Sequence, residues 1–294
     1  MRLVCRHQTN EKGVMQRMRK MQKIRRAVLL ALILVFLSAA AAWAVEIPVT
    51  LRVNDTDISG DVYSFIEEGR TYVPIRFTSM ALNALQIQWD YDTEIALVRF
   101  CEETEVRIDV ASGTIYRNGV PYDAQGSVLF RDHRLFVPLR DMATLAGASL
   151  DWDSRHYVVD LFKDGVEVPE EIIADPIDQK QWLWLSRIVE VETGGNDLQA
   201  KLAVANVVLN RVNSSRFPGT VHDVIFEVNT HVQFPPAHRS SFQTLQPSQA
   251  SWQAAKAAMY GQNNIGGALF FNNRPWSHMS SRFIARIGGN YFYR

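Results

Sequence analysis

The stretch WLWLSRIVEVETGGNDLQAKLAVANVVLNRV (182–212) decides how the second half of this chain folds. At 100° per residue Leu185, Ile188, Val189 and Glu192 share one helical face, while Glu190 lies about 200° from Glu192 and turns towards Arg187. Thr193-Gly194-Gly195 stops that helix, and Asn196 or Asp197 caps a second one bearing Leu198, Leu202, Ala205, Leu209 and Val212. Ala203, Val204, Val207 and Val208 make the rest of its surface apolar, which predicts the buried central helix of an α domain. Glu192 is then a carboxyl on an apolar face beside a turn. Lost solvation raises its pKa and lets it donate a proton near neutral pH, so it is the candidate general acid. A frayed helix end with its carboxylate in water is the plain reading of the same pattern.

Downstream, Phe217-Pro218-Gly219 is a turn, and Thr220 with Asp223 opens a short helix expected to run to Val228. The segment NTHVQFPPAHRSSFQTLQP (229–247) is irregular and long enough to line a groove, offering Gln233, Phe234, His238, Arg239 and Phe242 as polar and stacking groups. Ser248 caps a helix with Trp252, Ala255 and Met259 on one face. ALFFNN (268–273) reads as an extended segment ending in Asn272 and Asn273, whose amides suit hydroxyls or N-acetyl groups. Arg282 to Ile287 suggests a last short helix, and the aromatic close at Tyr291-Phe292-Tyr293 is expected in the core, with Tyr291 a further substrate-binding candidate.

The chain has 294 residues, balanced charge and 47% hydrophobic residues, which suits about two domains and gives no global reason to expect nucleic acid. Its one basic block, Arg17 to Arg26, precedes the uncharged run 27–42, and Ala42-Trp43-Ala44 has the small-x-small pattern of signal-peptide cleavage. Residues 1–44 therefore read as an export signal, the mature chain begins near Val45, and no stable membrane insertion is expected after cleavage. Cleavage removes Cys5 and leaves Cys101, so no internal disulfide is expected. No histidines sit at metal-ligand spacing, and neither metal nor cofactor is expected.

The first half repeats itself. RTYVPIRFTSMALNALQIQWD (70–90) and HRLFVPLRDMATLAGASLDWD (133–153) each give a strand, a V-P-[IL]-R turn, a helix and a strand ending in Trp-Asp. Asn54 and Asn118-Gly119 begin matching upstream turns, and VTLRV (49–53), ALVRF (96–100), VRIDV (106–110) and GTIYR (113–117) read as strands. Trp89 and Trp152 are expected as core residues at strand ends. This module, 45–163, resembles the copper amine oxidase N-terminal-like stalk domain. The resemblance implies an α+β spacer or wall-associating module with no catalytic residues of its own. Residues 164–180 carry Pro169, Pro176 and a cluster of acids, and read as an extended linker.

Residues 181–294 resemble the cell wall hydrolase family of spore-cortex-lytic enzymes. The resemblance rests on E-T-G-G-N (192–196), A-V-A-N-V-V-L-N-R-V (203–212), R-F-P-G-T-V (216–221), Q-F-P-P (233–236), A-L-F-F-N-N (268–273) and I-G-G-N-Y-F-Y (287–293). It implies a mainly α, lysozyme-like catalytic domain that cuts peptidoglycan glycan strands, with Glu192 at the position of the family's acid. Gln233, Phe234, Asn272, Asn273 and Tyr291 are the candidates for substrate binding. Asn196 stands where the family often has glutamate, and Ala200-Lys201 replaces its usual Gly-Gln.

Glycosidases ordinarily use two carboxylates. One suffices if the C6 hydroxyl of N-acetylmuramic acid attacks its own C1, which is lytic transglycosylation. The alternatives are a muramidase, with Glu190, Asp197, Asp223 or Glu227 as second carboxylate, a non-catalytic wall-binding protein, or a wall-assembly scaffold. A wall-associated regulatory protein is compatible with any of these.

Overall fold

The computed structural model describes residues 45–58, 62–228 and 232–294, so the export-signal reading of 1–44 lies outside the described residues. The amino-terminal half, expected to be α+β, holds thirteen strands among the described residues: β1 (Ile47–Val53), β2 (Thr56–Ile58), β3 (Ser64–Glu67), β4 (Arg70–Pro74), β5 (Gln86–Asp90), β6 (Ile95–Cys101), β7 (Thr104–Asp109), β8 (Thr114–Arg117), β9 (Val120–Pro121), β10 (Leu129–Arg131), β11 (Arg134–Pro138), β12 (Ser149–Asp153) and β13 (Val158–Phe162). Its helices are α1 (Ile75–Ala81) and α2 (Leu139–Ala146). An eight-stranded sheet runs β10-β11-β4-β3-β1-β13-β12 with β2 against β1, and β5 to β9 form a meander.

The duplication is visible in the register. Strands β4 and β11 pair antiparallel with the equivalent Val73 and Val137 opposite each other, and with Tyr72 opposite Pro138 and Phe136 opposite Pro74, exchanged pairs that mark a local two-fold through the valines. Pro74 and Pro138 end their strands and start α1 and α2, because a proline's fixed φ suits the first turn of a helix and its missing N–H ends a ladder. Asn54 and Asn118 both take positive φ in the turns after β1 and β8, as asparagine tolerates.

The carboxy-terminal half is helical, with α3 (Gln179–Thr193), α4 (Leu198–Val212), α5 (Val221–Ile225) and α6 (Gln249–Met259), closed by a small sheet of β14 (Phe270–Asn272), β15 (Phe283–Ile287) and β16 (Asn290–Tyr293). Leu185, Ile188 and Val189 are fully buried, and α4 is buried without a break from Ala200 to Val208, as its composition predicts. Each large apolar side chain buried on that face and along α4 contributes about 1.5–3 kcal/mol. The segment 283–287 is a strand rather than the expected helix. The Gly288-Gly289 turn, both residues at positive φ, folds it back on β16, whose Phe292 and Tyr293 are buried.

Residues 164–180 are anchored rather than extended in solvent. Val166, Val168 and the buried Ile172 pack on the core of the first half, Ile173 bridges Ile58, and Ala174 donates its N–H to the Asp57 carbonyl at 2.9 Å. The two halves also touch directly. The buried Lys256 of α6 donates to the carbonyls of His156 and Tyr157 at 2.8 and 2.7 Å, and Thr50 and Tyr260 share a hydrogen bond at 3.0 Å. Val45–Arg294 accordingly forms one compact unit. No helix among the described residues is long and apolar enough to cross a membrane.

Candidate active site

Helix α3 starts because Asp178 accepts the N–H groups of Lys180 and Gln181, and it ends at Gly194, whose φ of 53° disfavours a side chain. This places Glu192 in the last turn, half-buried as its helical face predicts. Burial pushes its carboxyl pKa up, and the nearby Arg211 guanidinium opposes the shift without cancelling it.

Arg211, on the last turn of α4, is the residue that sequence reasoning passed over. It is 4% exposed, and its Nε donates to the Leu269 carbonyl at 2.8 Å, which ties α4 to the residue before β14. Its guanidinium carbon lies 5.0 Å from the ring centres of Phe217 and Phe234 and 5.6 Å from Phe270. Nη1 is buried with no hydrogen-bond partner among the described residues. Desolvation lowers the guanidinium pKa to about 10 against the opposing charges of Glu227 and Glu192. Three aromatic faces and two carboxylates thus stabilise a buried cation, each ring at about 0.5–2 kcal/mol. Its motif, L-N-R-V followed by R-F-P, carried the signal: a basic residue in the last turn of a largely apolar helix, with Phe217 shortly after.

The other sequence candidates separate. Glu190 does not pair with Arg187. Its Oε2 accepts from Ser248 N at 3.1 Å and from the Ser248 and Ser251 hydroxyls at 2.5 Å each, with the Lys201 ammonium 3.7 Å away. Burial works to raise its pKa, but these hydroxyl and backbone donors and Lys201 together bring it below the ordinary carboxylate value. Arg187 instead donates to the Leu245 carbonyl at 2.9 Å and lies over Trp184. Asp197 caps α4 by accepting from Ala200 N, and Asp223, exposed, donates its backbone N–H to the Thr220 hydroxyl at 3.0 Å and pairs through its carboxylate with His222 at 3.0 Å.

Phe234 is 1% exposed and lies beneath the site against Arg211 and Phe271, so its ring has no free face for a sugar. Phe242 is buried likewise on Trp184. The segment 232–247 is held by aromatics that point inward, with short helical turns at Pro235–His238 and Ser240–Phe242. Gln233 is half-buried and Asn273 exposed. Asn272 and Tyr291 are register partners across β14 and β16, on the sheet face that also carries Phe270. That face therefore starts at the ring beside Arg211 and runs out to two half-buried polar residues. Asn196 donates to the Gly288 carbonyl at 3.3 Å, a bond that a glutamate there could not make when ionised.

Residues 195–293 match the family described as Cell Wall Hydrolase, and residues 52–161 match the copper amine oxidase N-terminal domain. The carboxy-terminal half is a cell wall hydrolase domain. Glu192 stands three residues before the matched segment of that hydrolase domain. Over 89 residues the chain is 34% identical to a spore cortex-lytic enzyme of Oceanobacillus iheyensis, covering 30% of this chain and 31% of that protein. Over 115 residues it is 32% identical to a spore cortex-lytic enzyme of Halalkalibacterium halodurans, covering 37% and 33%. The chain thus spans about a third of the length of these relatives. The solved catalytic domain of the germination-specific lytic transglycosylase SleB from Bacillus anthracis is 28% identical and wholly covered, over 42% of this chain, with a TM-score of 0.36.

Proposed function

We propose that this chain cleaves the glycan strands of peptidoglycan at the cell wall as a lytic transglycosylase, with Glu192 as its one general acid and base. The observation that carries the reading is the Glu192 carboxyl itself: half-buried, raised in pKa by desolvation, and in the field of a caged arginine. A protonated Glu192 gives its proton to the glycosidic oxygen as the C1–O bond breaks. The carboxylate then takes the proton of the muramic C6 hydroxyl as that oxygen bonds to C1, which restores the acid and leaves a 1,6-anhydro end. Gln233, Asn272, Asn273 and Tyr291 are proposed to hold sugar hydroxyls and N-acetyl groups, with Phe234 as support beneath Arg211. The names of the relatives, spore cortex-lytic enzymes, make cortex the narrower form of the proposed substrate.

A second reading, hydrolysis by water, is favoured by one observation: Glu227 acts on the same Arg211 as Glu192 does. Of the four carboxylates considered as partners, Glu190, Asp197 and Asp223 are occupied elsewhere. Glu192→Gln keeps shape and removes the titrating proton, so turnover on purified glycan should fall at least ~100-fold with the fold intact. Mass analysis of wild-type products should find 1,6-anhydro-muramic ends. Reducing ends alone, with equal loss in Glu227→Gln, would turn the reading to a muramidase, and an active Glu192→Gln would remove Glu192 from it.

A further inference from the structure

The turn that ends α3 is held from behind by a chain of polar contacts that the cleavage chemistry does not use. Lys201, 2% exposed, donates from Nζ to Thr193 Oγ1 at 3.1 Å, to the Gly194 carbonyl at 2.7 Å and to Ser251 Oγ at 3.0 Å. Thr193 is the peptide neighbour of Glu192, and its hydroxyl in turn donates to the Val189 carbonyl at 2.5 Å. The Ser251 hydroxyl in turn donates a hydrogen bond to Glu190, which also accepts from the N–H and hydroxyl of Ser248. Ser248 makes no side-chain cap of its own for α6, so Glu190 secures the start of that helix from α3.

Helix α6 is gripped a second time further along. The hydroxyl of Tyr157, in the turn between β12 and β13, accepts the side-chain amides of Gln249, at 2.7 Å, and Gln253. Lys256 closes the grip on the His156 and Tyr157 carbonyls. One helix therefore holds the amino-terminal half at Gln249, Gln253 and Lys256 and the end of α3 at Ser248 and Ser251.

We propose that this relay, Tyr157 to α6 to Ser251, Glu190 and Lys201, positions Glu192, so that the amino-terminal half is a positioning element of the active site as well as whatever else it does at the wall. Tyr157, Ser251, Glu190 and Lys201 are positioning residues: they act on Glu192 through the backbone of Thr193 and Gly194. The proposal rests on Glu192 being the acid. Because a displacement of about 1 Å at a reacting group can cost two orders of magnitude in rate, slack in this relay is read in kcat.

The test uses the full chain, purified glycan strands as substrate, and the variants Ser251→Ala, Tyr157→Phe and Lys201→Met beside Glu192→Gln and Tyr91→Ala. Ser251→Ala and Tyr157→Phe each delete one hydroxyl and keep the packing, so they report even if Lys201→Met fails to fold. The expected result is a kcat lowered ~10-fold in Ser251→Ala and several-fold in Tyr157→Phe, with KM within about twofold and thermal unfolding still cooperative. Tyr91→Ala, at the exposed turn of the other copy, should leave kcat unchanged. Unchanged kcat in Ser251→Ala and Tyr157→Phe while Glu192→Gln is inactive would overturn the relay and leave the acid in place. Full activity in Glu192→Gln would overturn the assignment of the acid, and the relay with it.

Discussion

The two copies in the amino-terminal half end in the same hairpin and use it differently. In the first, Asp90 Oδ1 accepts the N–H groups of Asp92 and Thr93, and Glu94 takes a φ of 53° before β6 begins. In the second, Asp153 Oδ1 accepts those of Arg155 and His156, and Tyr157 takes the same φ of 53° before β13. Backbone and turn chemistry are thus alike, and only the side chains differ. Glu94 of the first hairpin is exposed, as is the nearby Tyr91 at 86%, whereas Tyr157, at the position matching Glu94, is 6% exposed and is held by two glutamines of the hydrolase domain. A turn that needs only an aspartate and one residue tolerant of positive φ leaves its remaining positions free. One copy has spent that freedom on an interface, and the other has kept it open to solvent.

The largest effect expected from this contrast is at Trp182, 1% exposed, on which His156 of the second hairpin packs edge-on with ring centres 5.9 Å apart. Trp182→Ala should cost about 3–5 kcal/mol by denaturant unfolding. A loss below ~1 kcal/mol would mean that the hairpin rests on a surface it does not need. Next comes the symmetric part of the duplication: Val73→Ala and Val137→Ala, both nearly fully buried and directly paired, should each cost about 2 kcal/mol. Unequal values would show that asymmetry reaches past the hairpins into the shared sheet.

The smallest signal is a slope. Burial brings the Lys256 ammonium pKa down to about 7 from an ordinary 10.5. Between those values the unfolded chain binds more protons, so stability should climb as pH rises from about 7 towards 10.5 and level off below about 7, where both states carry the proton. Stability measured from pH 6 to 10 should show this climb at below about 1 kcal/mol per pH unit, and Lys256→Met should flatten it. An unchanged slope would place the titration elsewhere.

Much of this was legible in the sequence because it depends on neighbours along the chain. The face Leu185, Ile188, Val189, Glu192 follows from helical spacing, the buried α4 from its composition, and the copies from their repeated turns. The interface was not, because its partners are remote: Glu190 meets Ser248 and Ser251, and Tyr157 meets Gln249 and Gln253. Lys201 reads as an exposed lysine early in a helix, yet Ala200, Leu202 and Ala203 around it are buried, and the hydroxyls that satisfy it arrive from Thr193 and Ser251. Phe234 and Phe242 sit among polar residues and read as surface stacking groups, while the buried Arg211 and Trp184 give them inward partners. Val166, Val168 and Ile172 were the missed sign that 164–180 packs. The Gly-Gly pair at 288–289, flanked by apolar residues, was a hairpin signal that outranked the helical spacing of 282–287.

The tip of that last hairpin lies against the start of α4. At Gly288, with φ of 57°, an added Cβ would collide with the methyl of Ala200 and approach the Asn196 amide at 3.5 Å. Two positions distant in the chain therefore share a volume that only one methyl can fill. Descent with modification has a narrow route here: a larger residue at 200 requires the hairpin to retreat, and any side chain at 288 requires α4 to give way as well as a strained backbone. Among descendants of this chain these two sites should drift together or stay fixed, even though neither performs any chemistry.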